Sequence, residues 1–283
     1  MTYGRFNRQG RPALDAVAAI LRYAAECGLG TIDTAALYGE SEAVLGQALP
    51  PDHGFRIVTK TPRFGATRIG AEQAAALRAA FQASRTRLRQ ERLYGLLAHD
   101  GNDLLAEGGG HLLDALQDLK RRGEVEKIGA SVYAVRQIEA LIARGGVDLI
   151  QAPMNVFDQR LIDSGALREM ASRGIELHLR SAFLQGLLLA DPATLPPYFV
   201  AARPTLEAFQ RAARKAERTP AQAALAFLLD RPEANTVLVG VDSLAQLEEI
   251  ASAPLDPPEL DYRVFRVTDE RILDPSTWPG AAP

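Results

Sequence analysis

Residues 31–60 read TIDTAALYGESEAVLGQALPPDHGFRIVTK, opening with one short β-rich run, Thr31–Thr34, and closing with another, Arg56–Lys60. Runs of the same kind recur at Tyr94–His99, Lys127–Ser131, Leu149–Pro153, Glu176–Arg180 and Thr236–Val239, with helical patterns between them. Alternation of strand and helix almost from end to end argues for a parallel sheet joined by crossover helices. No Gly-x-Gly-x-x-Gly turn follows Thr31–Thr34, which argues against a doubly wound dinucleotide-binding sheet and for closure into a (β/α) barrel.

The intervening segments carry apolar stripes at helical spacing, such as Val17, Ile20, Leu21 and Ala24, then Leu112, Leu113, Leu116 and Leu119. Thr219, Pro220 and Gln222 read as an N-cap, a first-turn proline and a reciprocal capping glutamine for a helix over Ala221–Leu229. The rhythm breaks at the Leu184–Pro204 loop with an added helix over Thr205–Glu217, and in the tail after Pro254, which carries Trp278. Long loops after barrel strands commonly shape a substrate pocket. A barrel of this kind takes roughly 250 residues, so the 283 residues are expected to form a single domain, 1–283.

The net charge of −3 and pI of 5.9 leave no footprint for nucleic acid. Arg85, Arg87, Arg89 and Arg92 are broken by Gln90 and Glu91 and read as the solvated side of a helix. The single cysteine, Cys27, falls on an apolar stripe and is expected to be a small buried thiol in a reducing compartment. There is no charged start followed by an apolar run and no stretch of the ~20 apolar residues a bilayer span needs. A cytoplasmic protein without membrane contact is expected, with monomer and homo-oligomer both open.

Four residue types needed for carbonyl reduction sit at or just beyond strand ends, where barrel enzymes place their active sites. Asp33 ends the first recognisable strand, Tyr38 follows it, Lys60 ends the next and His99 the one after. An unperturbed phenol has a pKa of about 10, and an ammonium within ~4–6 Å favours the phenolate. Lys60 is therefore expected to tune Tyr38, Asp33 to fix Lys60, and His99 to orient the substrate oxygen. His53, His111 and His178 lack metal-ligand spacing and read as surface or structural histidines; no metal site is expected. Phe157 and Trp278 fit a pocket wall or the core equally well.

The segment from Thr31 through Asp33-Thr34-Ala35 to Tyr38-Gly39-Glu40, with Leu45-Gly46 behind it, resembles the signature of the aldo-keto reductases. Val58-Thr59-Lys60, Leu97-Ala98-His99, Lys127–Ser131 and Gln151–Asn155 match later family motifs in the same order. The resemblance implies a (β/α)8 TIM-type barrel and reduction of an aldehyde or ketone, a small or sugar-like carbonyl, with NADP(H) or NAD(H). It makes Asp33, Tyr38, Lys60 and His99 the catalytic set and Tyr38 the general acid. By the same resemblance Ser131 and Gln151 hold the nicotinamide amide. Arg180, Ser181, Phe183, Leu184 and Gly186 fall in the strand-end loop that follows the pyrophosphate. Gly240, Asp242, Ser243, Gln246 and Glu249 lie in the final loop and helix, at the adenosine end.

Several positions depart from that pattern. The family's N-terminal hairpin and first strand are missing before the first helix. A start set too late, a makeshift strand over Met1–Gln9, or an open barrel covered by oligomerisation would each account for this, the first being preferred. The loop from Gly240 to Glu249 has no cation for a 2′-phosphate and carries Asp242, which fits a free ribose hydroxyl better. Val132 and Ile250 stand where Asn is common, and Arg180 where an aromatic residue stacks on the nicotinamide. The rival expectation is a catalytically impaired barrel serving as a binding or scaffold subunit; a Schiff-base enzyme built on Lys60 is a more distant one.

Overall fold

The computed structural model describes residues 12–254 and 257–279. Seven strands, β1 (Thr31–Asp33), β2 (Arg56–Lys60), β3 (Leu93–Ala98), β4 (Val125–Ser131), β5 (Leu149–Pro153), β6 (Glu176–Arg180) and β7 (Thr236–Val237), form one sheet in chain order. Every neighbouring pair is parallel. The chain is a (β/α)8-type fold, with its strands curled into a nearly closed barrel.

The outer layer begins with α1 (Leu14–Glu26), α2 (Ser41–Ala48), α3 (Ala71–Leu88), the short α4 (Gly101–Leu105), α5 (Gly110–Arg121) and α6 (Val135–Arg144). It continues with α7 (Arg160–Asp163), α8 (Ala166–Ser172), α9 (Arg203–Lys215), α10 (Pro220–Leu229), α11 (Leu244–Ala251) and α12 (Glu270–Leu273). Thr219 caps α10, its hydroxyl accepting from Gln222 N while the Gln222 side chain accepts from Thr219 N, with Pro220 in the first turn. Leu112, Leu113, Leu116 and Leu119 of α5 are all buried.

Two apolar cores follow from strand geometry, since successive side chains point to opposite faces of a sheet. Ile57, Leu96, Ile128, Ile150, Leu177 and Leu179 face the helices as part of one large cluster. Val58, Leu97 and Leu149, with Tyr94 against them, fill the inside of the ring. Below this plug the interior turns polar: Tyr94 Oη donates to Glu176 Oε2 at 2.6 Å, and His178 Nε2 lies 2.7 Å from Glu176 Oε1. His178 is fully buried, and burial holds its imidazole below the usual histidine range.

Among the described residues β1 pairs only with β2 and β7 only with β6, so a seam lies between β1 and β7. The helical layer runs on across it, because α1 packs against both α2 and α11. The makeshift strand expected over Met1–Gln9 lies outside the described residues.

Two expectations are corrected. Cys27 is exposed rather than buried, because α1 ends at Glu26 and the chain turns away through Gly28 at φ 72°. The arginines near residue 87 are not simply a solvated face. Arg87 holds the buried Glu42 carboxylate, and Arg85 pairs with Glu124. Phe157 and Trp278 prove to be core side chains; Trp278 stacks edge-on against Phe199 at 4.6 Å and donates to Ile272 O.

Candidate active site

Asp33, Lys60 and His99 stand at the carboxyl ends of three adjacent strands, each stepped two residues beyond its neighbour in the register. Asp33 pairs with Val58, two residues before Lys60, and Lys60 pairs with Leu97, two before His99. Tyr38 is brought back over this end by a tight turn. Tyr38 N donates to Ala35 O, Ser41 N donates to Tyr38 O, Gly39 supplies the left-handed φ of 61°, and Thr34 Oγ1 donates to Ser41 Oγ at 3.0 Å.

Lys60 is almost wholly buried, and an ammonium there needs its charge matched and its protons bonded. Its Nζ donates to both Asp33 oxygens at 2.7 Å and to Thr34 O at 3.0 Å. The same Nζ lies 5.0 Å from the centre of the Tyr38 ring, and the Tyr38 and His99 rings meet edge-on at 5.8 Å. The four side chains thus surround one small space at the barrel mouth.

Burial holds His99 far from protonation, and the cations Lys60, Arg63 and Arg180 add to the effect, pushing its pKa down to about 3. A hydrogen bond of the ring to the backbone of Thr61 opposes this only in part. At neutral pH the ring is therefore an uncharged imidazole, which keeps one N–H to donate.

The residues expected to hold a nicotinamide amide join the same space. Ser131 and Gln151 are partners across β4 and β5, both are buried, and Ser131 Oγ donates to Gln151 Oε1 at 3.4 Å. Gln151 Nε2 donates to Asp33 Oδ1 at 2.7 Å, tying this pair to the Asp33–Lys60 pair. Arg180 at the end of β6 donates to Val132 O at 2.9 Å and Ser181 Oγ at 3.2 Å. Its guanidinium lies over Tyr133, 4.4 Å from the ring centre.

The loop after β6 carries left-handed backbone at Ser181 (φ 62°), Leu184 (φ 47°), Gln185 (φ 55°) and Gly186 (φ 89°). Outside glycine such torsions are uncommon and cluster at ligand clamps. Leu184 is buried beneath the loop and Phe183 packs half-buried against the core. After Gly240, Asp242 N donates to Gln246 Oε1, and Ser243 Oγ accepts from Gln246 N to cap α11. Glu249 is exposed further along that helix, and burial raises the Asp242 carboxyl above its ordinary range.

The fold therefore brings Asp33, Tyr38, Lys60, His99, Ser131, Gln151 and Arg180 to one mouth. Ser243, Gln246 and Asp242 are bonded to one another at the start of α11 rather than to this group. A buried amide and hydroxyl beside a strand-end loop of rare torsions fit a nicotinamide carboxamide and a backbone-bound diphosphate. The final loop offers no cation for a further phosphate. Arg63 and Tyr133 also line the mouth and were not foreseen; their only sequence signal is a position within three residues of Lys60 and Ser131. Among the described residues no cluster of His, Cys, Asp and Glu fit to hold a metal ion is present, and no helix is long and apolar enough to cross a membrane.

The chain is 28% identical to the L-galactose dehydrogenase of Arabidopsis thaliana over 292 aligned positions, spanning 96% of this chain and 89% of that one. An aldo-keto reductase from Bacillus halodurans, solved in its holo form, superposes with a TM-score of 0.73 at 21% identity, covering 89% of this chain and 86% of its own. The glycerol dehydrogenase from Gluconobacter oxydans superposes with a TM-score of 0.70, also at 21% identity, over 92% of this chain and 85% of its own. The sequence profile of the aldo/keto reductase family matches residues 1–262, and the chain belongs to that family.

Proposed function

We propose that the protein reversibly reduces an aldehyde or ketone to the alcohol with NADPH or NADH, Tyr38 giving the proton. Family membership supports oxidoreductase activity between carbonyl and alcohol. The observation that carries the finer reading is the single space shared by the Tyr38 ring, the Lys60 ammonium and the neutral His99 ring.

A reduced nicotinamide, when bound, supplies the hydride. Ser131 and Gln151 would hold its carboxamide, and the Ser181–Gly186 loop would follow the diphosphate. The N–H of His99 points the carbonyl oxygen, and the phenol of Tyr38 protonates that oxygen as negative charge builds on it. The Lys60 ammonium then faces the phenolate that remains, and Asp33 and Gln151 keep that ammonium in place.

A Schiff base on Lys60 is disfavoured, since all three of its N–H donors are spent on Asp33 and Thr34 O. The scaffold alternative is not favoured by any contact at the mouth.

The test is to mix the purified protein with NADPH or NADH and a panel of small aldehydes and sugars, following the loss of reduced-cofactor absorbance. Turnover with one of the two cofactors is expected. NADH is expected to serve at least as well as NADPH, because Asp242 occupies the loop where a cation would hold the 2′-phosphate. Cofactor binding with no turnover of any carbonyl would return the scaffold alternative.

A further inference from the structure

Arg63 and Arg180 are the charges at the barrel mouth that the proton and hydride steps above do not use, although Arg180 also stands at the position expected to stack on the nicotinamide. Among the described residues neither has a carboxylate within ion-pair distance, and the charge of Lys60 beside them is already matched by Asp33. Both reach the same aromatic side chain. Arg63 Nη2 donates to Tyr133 Oη at 3.0 Å, while the Arg180 guanidinium lies 4.4 Å above the ring.

The support behind the pair is built. Arg63 is exposed, yet the loop bearing it is pinned: the buried Asp103 accepts from Phe64 N and Gly65 N, each at 3.0 Å, and Gly65 takes a φ of 55°. Those bonds commit the Asp103 carboxylate to the loop. Asp100 is committed in the same way to Asn102 N, and Asp158 to Arg160, whose Nη2 reaches Tyr133 O. Arg63 follows Lys60 by three residues and Arg180 ends β6, and both add, after burial and Lys60, to holding His99 uncharged.

Two cations that meet on one side chain, Arg180 over the ring and Arg63 at its hydroxyl, repel each other, and each keeps N–H donors to spare, since a guanidinium has five. A planar carboxylate matches the donor fork of arginine and relieves that repulsion. We propose that the substrate is a carbonyl compound bearing a carboxylate, which Arg63 and Arg180 bind across Tyr133 while the carbonyl oxygen sits between Tyr38 and His99. This deepens, and rests on, the reductase reading.

The test compares kcat/KM for 4-carboxybenzaldehyde and its neutral methyl ester. A preference for the acid on the order of ten- to a hundredfold is expected, the scale of one or two charge-assisted hydrogen bonds. In Arg63→Gln that ratio should fall toward one, Arg63→Lys should recover part of it, and added salt should erode it. Equal turnover of acid and ester by the unaltered protein, or an acid preference that survives in Arg63→Gln, overturns the proposal. Turnover of neither aldehyde would count against the reductase reading instead. The anion site is then read without catalysis, by calorimetric titration with benzoate. Saturable binding that Arg63→Gln abolishes supports the proposal, and binding that Arg63→Gln leaves unchanged overturns it.

Discussion

At the scale of single residues, the mouth is organised by the cost of burying charge. Lys60 is tolerated inside the ring because Asp33 matches it through two 2.7 Å bonds, and removing one partner of such a pair leaves the other uncompensated. Asp33→Asn is expected to lose roughly 3 kcal/mol of stability in urea titration and to lower kcat by at least about a hundredfold. His99 sets a pH dependence whose sign follows from its depressed pKa. Below about 6.5 the unfolded chain takes up a proton that the folded one refuses until about 3. Stability contributed by the neutral ring is therefore complete above pH ~6.5 and lost as pH falls toward 3. The melting temperature should drop across that window, His178 adding to the drop, and His99→Gln should flatten part of the slope; an unchanged slope would show that His99 is not the buried neutral base described. Asp33, Tyr38, Lys60 and His99 were legible in sequence because each sits at or just past a strand end. Arg63 and Tyr133 were not, since only closure of the ring sets the loops after β2 and β4 side by side. Cys27 was misread because a helical stripe does not announce the residue at which the helix stops.

At the scale of elements, the β1–α2–β2 unit that carries Asp33, Tyr38 and Lys60 is locked from outside. Glu42 of α2 is buried, accepting from Thr59 of β2 at 2.6 Å and from Arg87 of α3 at 2.8 Å. Gly46 lets α2 approach α3 so closely that a Cβ there would collide with the backbone carbonyl of Arg87. Gly46→Ala should therefore cost about 1–3 kcal/mol by overpacking, measured by chemical denaturation. A cost near zero would mean that α2 can slide, and with it the turn that aims Tyr38. The Thr59 and Lys60 pair shows the division of labour along one strand: Thr59 ties β2 to its helix and Lys60 serves the mouth. Strand positions were read within two residues because β-rich runs and the capping pair at Thr219 and Gln222 are local signals. The Glu42–Arg87 link joins residues 45 positions apart, and no local pattern reveals it.

At the scale of the whole molecule, the ring of strands makes a site out of residues that are distant in sequence. Gln151 reaches Asp33 across 118 positions, and no window of the sequence contains both. Among the described residues the same topology leaves a seam between β1 and β7, bridged on the outside by α1 and α11. Amides of β1 and β7 are expected to exchange with solvent faster than those of β3, β4 and β5, which are paired on both sides. Equal protection of β1 and β4 would mean that a further strand fills the seam. If the ring delivers a phenol proton to a carbonyl oxygen, Tyr38→Phe must slow the single-turnover oxidation of reduced cofactor. The expected result is cofactor affinity close to that of the unaltered protein with the rate of the chemical step down by roughly 10²–10⁴. A chemical step that proceeds at the original rate without the phenolic hydroxyl would contradict the account.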